Sequence, residues 1–236
     1  TGISEGLAVV TVSCTKKGIT KTDTIEVIVG DIVYRALCVG VGDYIEGSIT
    51  DLLGPPYDVD RMIDVFNHCK FGTDEVVFST LVSLKDLNAT KTAIINGIAS
   101  TFSGADNNDI SYFFFSGHGA EHLGIYYLCP TNILLASYDN DINVNELESA
   151  LSAIPGRKVV ILDTCHSGGF IGKGKGEITI SKKELISFND EVINVFSQAE
   201  SKSLLTTNQY KVLTSCHGYQ TCFETSQHPI DGNPYG

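Results

Sequence analysis

The sequence predicts an α/β fold in which helices cover both faces of a mostly parallel sheet. The 236 residues are 42% hydrophobic, which is enough for one full core and a small additional segment. Short apolar runs alternate with segments whose apolar residues recur at helical spacing, and this alternation is typical of parallel sheets. The predicted strands are residues 36–41, 75–82, 110–115, 159–162 and 210–213, and the predicted helices are residues 57–66, 88–98 and 143–154.

The first thirty residues have a different pattern, that of a β-hairpin. Apolar and polar residues alternate in two runs, and Lys16, Lys17 and Gly18 lie between them as a turn. This segment resembles the last strands of a bacterial immunoglobulin-like domain, so residues 1–30 are assigned to such a domain or to a linker. Gly30 and Asp31 would form the junction with a second domain, residues 31–236.

The predicted strands and helices of the second domain follow from the spacing and the ends of their apolar runs. The first strand ends at a Gly-Asp pair, as buried parallel strands often do. The first helix places Val59, Met62, Ile63 and Phe66 on one face. The second helix has its start signal at Asn88-Ala-Thr90. The strands at 110–115 and 159–162 are almost wholly apolar, which predicts burial on both faces.

Charge and hydropathy exclude two classes of partner. The net charge is −12, which argues against nucleic acid, because phosphates require a surface rich in Lys and Arg. No run of about 18 or more apolar residues is present, so no membrane span is predicted. An acidic surface usually serves only solubility, whereas acidic residues concentrated in a cleft would favour basic substrates.

Two predicted strands end at residues that carry chemistry. His118 lies between two glycines after one strand, and Cys165 follows the other. Ligands of open α/β sheets bind outside the carboxyl ends of the strands, so these two residues are expected to meet. A thiolate nucleophile, an imidazole base and backbone N–H donors for the oxyanion make up a cysteine hydrolase. Cys165 and Gly119 are the predicted N–H donors, and a backbone carbonyl would suffice to orient the imidazole.

Each of these residues also has a simpler interpretation. A cysteine after an apolar strand is more often part of the core, as predicted here for Cys38 and Cys129. His166 is adjacent to Cys165, but neighbours on an extended chain point to opposite sides. No two further ligands complete a metal site with Cys165 and His118, so no metal is predicted. The presence of both motifs, 47 residues apart, favours catalysis.

The two motifs resemble the His and Cys boxes of the caspase–metacaspase superfamily, which also includes clostripain and the gingipains. They are Ser116-Gly-His-Gly119 and Asp163-Thr-Cys-His-Ser-Gly168. The resemblance implies a caspase-like three-layer sandwich and a cysteine peptidase. Caspases have Gln-Ala-Cys where this chain has Asp163-Thr-Cys, so the metacaspase-like bacterial branch is the better match.

The resemblance also implies a substrate pocket. Residues 53–58, followed by Met62, resemble the metacaspase segment that enters the first helix. By that match Asp58 and Asp163 would line the pocket for the P1 side chain, with Ser116 nearby. Two carboxylates would prefer Lys or Arg at P1. The alternative for Asp58 is a stabilising charge at a helix N-terminus.

Two departures from the family pattern concern calcium and the C-terminal end. Calcium-dependent metacaspases carry paired aspartates before the Cys strand, and Val144-Asn145 occupies that place here, so no cofactor is predicted and calcium dependence is doubted. The Gly-x-Phe-Thr segment that usually follows the last strand is missing. The peptidase domain is therefore expected to be incomplete at its C-terminal end, and a cleaved C-terminal segment of the same protein is a predicted partner.

Residues 171–208 are polar and rich in lysine, which predicts an exposed loop. Activation of a zymogen by self-cleavage in this loop is one hypothesis, and a solvated linker is the other. A non-catalytic caspase-like binding module and another thiol hydrolase or transpeptidase are the competing functions. The immunoglobulin-like resemblance favours a secreted or cell-envelope location, and a cytoplasmic one is the alternative. The candidate cleavage sites are Lys173, Lys175, Lys182, Lys183 and Lys202.

Overall fold

The computed structural model describes residues 6–123, 125–134, 136–166, 192, 194–197, 210–214 and 230–234. Within these residues, five parallel strands form the centre of a seven-stranded sheet, which confirms the predicted fold class. In spatial order they are β11 (Tyr210–Thr214), β10 (Arg157–His166), β7 (Ile110–His122), β3 (Tyr34–Gly40) and β6 (Phe78–Lys85).

Two short antiparallel strands extend this sheet. Strand β8 (Ile125–Leu128) folds back on the end of β7, and β9 (Ile142–Asn143) pairs with β8. The backbone groups at the end of β7 therefore have hydrogen-bonding partners beyond the parallel core, as a buried strand requires.

Helices lie on both faces of the sheet. They are α1 (Pro55–His68), α2 (Lys91–Thr101) and α3 (Val144–Ser152). Side chains of Thr90 and Asn143 cap α2 and α3 by accepting backbone N–H bonds from Ala93 and Glu146. Helix α1 begins at two prolines, whose fixed φ suits a first turn.

Alternation along the strands divides the core between these two helical layers. In β3 and β7, Ala36, Cys38 and Phe114 pack with Val59 and Phe66 of α1. The intervening residues pack on the opposite side with α2 and α3. That larger cluster includes Leu37, Val39, Phe113, Phe115, Ile94, Ile98, Leu147 and Leu151. The result is the predicted three-layer sandwich, and Cys38 and Cys129 are fully buried in it, as expected.

Several predicted strand boundaries are wrong. Strand β6 begins at Phe78, because the residues before it form a small separate hairpin of β4 (Lys70–Phe71) and β5 (Asp74–Glu75). Strands β7 and β10 do not stop at Ser116 and Asp163 but continue to His122 and His166. The glycines and polar residues there suggest a loop in the sequence. In the fold, pairing between the two strands continues through them.

The N-terminal hairpin has the predicted form. Strands β1 (Gly6–Lys16) and β2 (Ile19–Val29) pair antiparallel, and Lys17 and Gly18 turn between them with φ values of 52° and 78°. Several of its apolar side chains are exposed, among them Val10, Val12 and Ile25. Its assignment to an immunoglobulin-like domain stays a prediction. No helix within the described ranges has the length and apolar character needed to span a membrane.

Substitution of Gly40 by alanine should destabilise the fold. A Cβ at this last residue of β3 would lie 2.4 Å from the carbonyl oxygen of Pro55 and 2.7 Å from Cγ2 of Val59, so α1 would have to move away from the sheet. We expect the free energy of unfolding in urea to fall by about 1–3 kcal/mol. Gly47→Ala is the control, because a Cβ there meets no atom within 4 Å. Equal losses in the two variants would contradict this account.

Candidate active site

The two sequence motifs meet through the register of β7 and β10. Cys165 and His118 are directly opposed Cα partners, and so are Asp163 and Ser116. Paired residues in neighbouring strands are separated by one strand spacing, about 4.8 Å. Residues 47 positions apart in the chain are thus brought together on adjacent strands. Gly119 belongs to the same stretch, since it pairs with His166 on one side and Leu128 on the other.

The imidazole of His118 is oriented by a backbone carbonyl, as the sequence argument allowed. Its Nε2 lies 2.8 Å from the carbonyl oxygen of Thr50. A carbonyl can only accept a hydrogen bond, so the neutral ring carries its proton on Nε2. Nδ1 is then the basic nitrogen. The ring is also packed against the ring of Tyr44, with the centroids 5.1 Å apart.

Tyr44 fixes the backbone of His118 as well as its ring. The Tyr44 hydroxyl accepts a hydrogen bond from the N–H of His118 at 2.9 Å and donates one to the carbonyl of Val41 at 3.1 Å. Glycine is needed at position 117, where φ is 153° and a Cβ would lie 3.2 Å from that hydroxyl. The glycine before the histidine therefore permits this close approach.

The loop after β3 holds both Tyr44 and Thr50. The N–H of Tyr44 donates to Oδ1 of Asp51 at 3.0 Å, and the N–H of Leu52 donates to the carbonyl of Gly42 at 2.8 Å. Asp86 secures the start of the loop by accepting from the N–H of Gly42 at 2.9 Å. The carbonyl that orients His118 thus belongs to a closed and hydrogen-bonded loop.

Burial sets the protonation state of His118. Its side chain is largely enclosed, and the loss of water lowers the pKa of the imidazole from its ordinary value of 6.5. The hydrogen bond to Thr50 and the charge of Asp51 act in the opposite direction but do not cancel this effect. The ring is therefore neutral at pH 7, which is the form that accepts a proton.

The predicted pocket residues also lie close together. The hydroxyl of Ser116 donates to Oδ2 of Asp58 at 3.0 Å, and Asp163 is the register partner of Ser116. Asp58 is in the first turn of α1, so it also has the position at the helix N-terminus that the simpler interpretation gave it. The two interpretations are compatible, because the first turn of α1 lies beside Ser116 of β7.

A family model described as the caspase domain matches residues 34–230. The chain belongs to the caspase-domain family. This membership supports a function of the cysteine peptidase type, with proteins as substrates. No match was found among curated proteins.

The chain is similar to solved structures at low sequence identity. A crystal structure of a protein from Geobacter sulfurreducens is 16% identical and has a TM-score of 0.53, and the match covers 86% of this chain and 78% of that one. Caspase-1 from Spodoptera frugiperda is 15% identical with a TM-score of 0.49, and the match covers 86% of this chain and 65% of that one.

Sequence reasoning missed one residue of the pocket in this caspase-domain protein. Arg61 forms an ion pair with Asp58, with Nη1 3.1 Å from Oδ1. The pair has the i, i+3 spacing of neighbours on a helix surface, and that spacing could have revealed it. One of the two carboxylates of the predicted pocket therefore has a cation beside it. Tyr44 and Thr50 were also missed, and only tertiary structure places them beside His118.

The stretch compared with calcium-binding metacaspases contributes to folding. Val144 is buried in the core, and the side chain of Asn143 caps α3. In the ranges that the structure describes, no group of three or more His, Cys, Asp or Glu residues could hold a metal ion. The five lysines proposed for self-cleavage lie outside the described residues.

Tyr44→Phe should lower stability through the backbone of His118. The substitution leaves the buried His118 N–H and Val41 carbonyl without the hydroxyl that joins them. We expect a loss of about 1–3 kcal/mol in the free energy of unfolding, measured in urea. Tyr57→Phe is a matched control, because Tyr57 is 38% exposed. A loss in the free energy of unfolding no greater than that of Tyr57→Phe would show that the Tyr44 hydroxyl does not stabilise the backbone at His118.

Proposed function

We propose that this protein is a cysteine endopeptidase in which Cys165 is the nucleophile and His118 is the general acid and base. The observation that carries the proposal is the register of β7 and β10, which makes these two residues Cα partners. The orientation of His118 by Thr50 supports it further, because a proton on Nε2 makes Nδ1 the basic nitrogen of the neutral ring.

The proposed reaction proceeds through an acyl-enzyme. Nδ1 of His118 takes the thiol proton, and the thiolate of Cys165 attacks the scissile carbonyl carbon. The tetrahedral oxyanion is stabilised by the backbone N–H groups of Cys165 and Gly119. As the C–N bond breaks, His118 returns its proton to the leaving amine. A water molecule, deprotonated by His118, then hydrolyses the thioester and regenerates the thiol.

A basic P1 side chain is part of this proposal. Asp58, Ser116 and Asp163 form an acidic group two register pairs away from the proposed dyad. Arg61 compensates one of the two carboxylates, that of Asp58. Arg61 is also paired with Asp231, so the group of Asp58, Asp163, Asp231 and Arg61 has two net negative charges, which favours a Lys or Arg side chain. In this account Asp163 is the main partner of the substrate cation and Asp58 a supporting one.

The proposals of self-activation and of cellular location rest on the sequence alone. Cleavage after one of the lysines in residues 171–208 would convert a precursor into the active enzyme, and this accords with the same preference for basic P1 residues. A cleaved C-terminal segment would then be a partner of the enzyme. A secreted or cell-envelope location is proposed from the resemblance of residues 1–30 to an immunoglobulin-like domain.

Cys165→Ala should abolish cleavage of Lys- and Arg-containing peptides, because no thiolate remains to form the acyl-enzyme. The decrease in kcat/KM should be at least about a thousandfold, measured with fluorogenic peptides. Intact mass after long incubation should also show that self-cleavage stops in this variant. The control is Cys14→Ala, since Cys14 is an exposed cysteine of the N-terminal hairpin. Undiminished cleavage by Cys165→Ala would overturn the proposed mechanism.

Asp163→Asn should weaken the preference for a charged P1 residue. Loss of the carboxylate removes its charge-assisted contact with the substrate cation, so kcat/KM for an arginine peptide should fall about 10- to 100-fold. A citrulline peptide, which has the same shape without the charge, should change by less than about threefold. Asp74→Asn is the control for a general loss of negative charge, because Asp74 is exposed. Equal effects on both peptides would remove Asp163 from the specificity pocket.

The lowered pKa of His118 predicts the pH dependence of catalysis and stability. The neutral base is lost only as pH falls through that lowered pKa, so the acidic limb of kcat/KM should lie below pH 6.5. For stability, the unfolded chain binds this proton more readily than the folded one. The contribution is therefore fully present above pH 6.5 and is lost as pH decreases toward the folded pKa.

An NMR titration tests this pH dependence. Measured on the His118 ring in the Cys165→Ala variant, it reports the pKa of the imidazole in the absence of the thiol. If the His118 ring titrates at or above the ordinary imidazole value of 6.5, it is not the buried neutral base described here.

A further inference from the structure

The guanidinium of Arg61 is the centre of a hydrogen-bond network that the proposed mechanism does not use. Its Nε and Nη2 donate to the two carboxylate oxygens of Asp231, both at 3.0 Å. Nη2 also donates to the carbonyl of Asn233 at 3.3 Å. Nη1 donates to the carbonyl of Pro234 at 3.0 Å and to Oδ1 of Asp58 at 3.1 Å. These contacts account for all five N–H donors that an arginine has.

This network joins a distant part of the chain to α1. Residues 230–234 form a short segment, here named the strap, which is about 170 residues from Arg61 in sequence. The strap has internal order, since the N–H of Asn233 donates to Oδ1 of Asp231 at 3.0 Å. Only residue 230 of the strap falls within the caspase-domain match, which ends there. Residues 231–234 of the strap therefore lie beyond the matched region.

The strap lies beside the acidic group of the pocket. One nitrogen atom, Nη1 of Arg61, contacts both the carbonyl of Pro234 and the carboxylate of Asp58. The other oxygen of Asp58 accepts from Ser116, whose register partner is Asp163. A continuous series of contacts therefore runs from the strap through Arg61 and Asp58 to the strands that carry the proposed dyad.

We propose that Arg61 is a positioning residue of the substrate pocket, which holds the strap in place as one wall of that pocket and holds Asp58 in its orientation. The inference rests on the proposed preference for a basic P1 residue and deepens it. Asp58 is held from both sides, by Ser116 and by Arg61, and the Arg61 nitrogen that contacts Asp58 also binds the carbonyl of Pro234 in the strap. A basic side chain thus meets a pocket formed before it binds.

Lysine cannot replace arginine in this role. An ammonium group keeps the positive charge but cannot donate bidentately to Asp231 while also contacting two carbonyls and Asp58. The Arg61→Lys substitution therefore keeps the positive charge but removes the planar, bidentate geometry of the guanidinium group. Asp231→Asn acts from the other end, because it weakens the bidentate contact and leaves the Arg61–Asp58 pair in place. If the strap is the wall, both substitutions should have the same effect.

The first test measures binding without catalysis. Titration calorimetry with Nα-acetyl-arginine methylamide, in the Cys165→Ala background, gives the Kd of the pocket for a basic side chain. We expect the Kd to increase about tenfold in Arg61→Lys and in Asp231→Asn. Asp60→Asn is the matched control, because Asp60 lies on the same helix, pairs with Lys85 and should leave the Kd within twofold.

The second test measures turnover and the strap itself. With Cys165 intact, KM for an arginine peptide should increase about tenfold in the two variants, while kcat stays within about twofold. Hydrogen exchange at the N–H of Asn233 should become faster in both. Thermal unfolding identifies any variant that fails to fold. If Arg61→Lys does not fold, the Kd and KM of the Asp231→Asn variant alone decide whether the strap is a wall of the pocket.

Several results would overturn the inference. Unchanged Kd and KM in both variants would show that the strap is no part of the pocket. A lower fraction of active enzyme with unchanged KM would restrict Arg61 to folding. If the arginine amide does not bind the Cys165→Ala protein, the basic pocket itself is wrong. The proposed catalysis is judged separately, by whether peptide cleavage depends on Cys165.

Discussion

The site depends on the parallel pairing of β7 and β10 at a single register. Shifting one strand by one residue would pair His118 with a neighbour of Cys165 and move alternate side chains to the other face of the sheet. The register is secured by the core below it, where Phe113, Phe115, Val160 and Leu162 are buried on the α2–α3 side. Packing that has no chemical role therefore decides which residues can react with each other.

A second constraint is the support given to His118 by the loop after β3. This loop supplies a carbonyl to the ring, a hydroxyl to the backbone N–H and an aromatic face, from residues Thr50 and Tyr44. Glycine at position 117 follows from that geometry, since a side chain there would crowd the hydroxyl. Burial then removes water and lowers the pKa of the imidazole. Support and protonation state thus have the same structural origin.

The charges of the pocket have to be considered together with its neighbours. Asp58 was predicted from sequence as a carboxylate facing substrate, yet both of its oxygens are engaged, by Ser116 and by Arg61. An acidic motif in a sequence gives the number of carboxylates but not their counter-ions. The counter-ion here was three residues away on the same helix. Its other partners, Asp231, Asn233 and Pro234, could not be inferred from any local pattern.

The sequence by itself determined the fold class, the helices and the identity of the two motifs. Periodicity reports burial directly, so the strands around Leu37 and Phe113 and the helix with Val59 were predictable. The ends of β7 and β10 were not, because glycine and polar residues are signals of turns, whereas pairing across 116–119 and 163–166 keeps both strands extended. Register, the supporting roles of Tyr44 and Thr50 and the contact between Arg61 and residues 230–234 were decided by tertiary structure alone. They depend on contacts between residues that are far apart in the chain, and a local sequence pattern does not show which distant residues will meet.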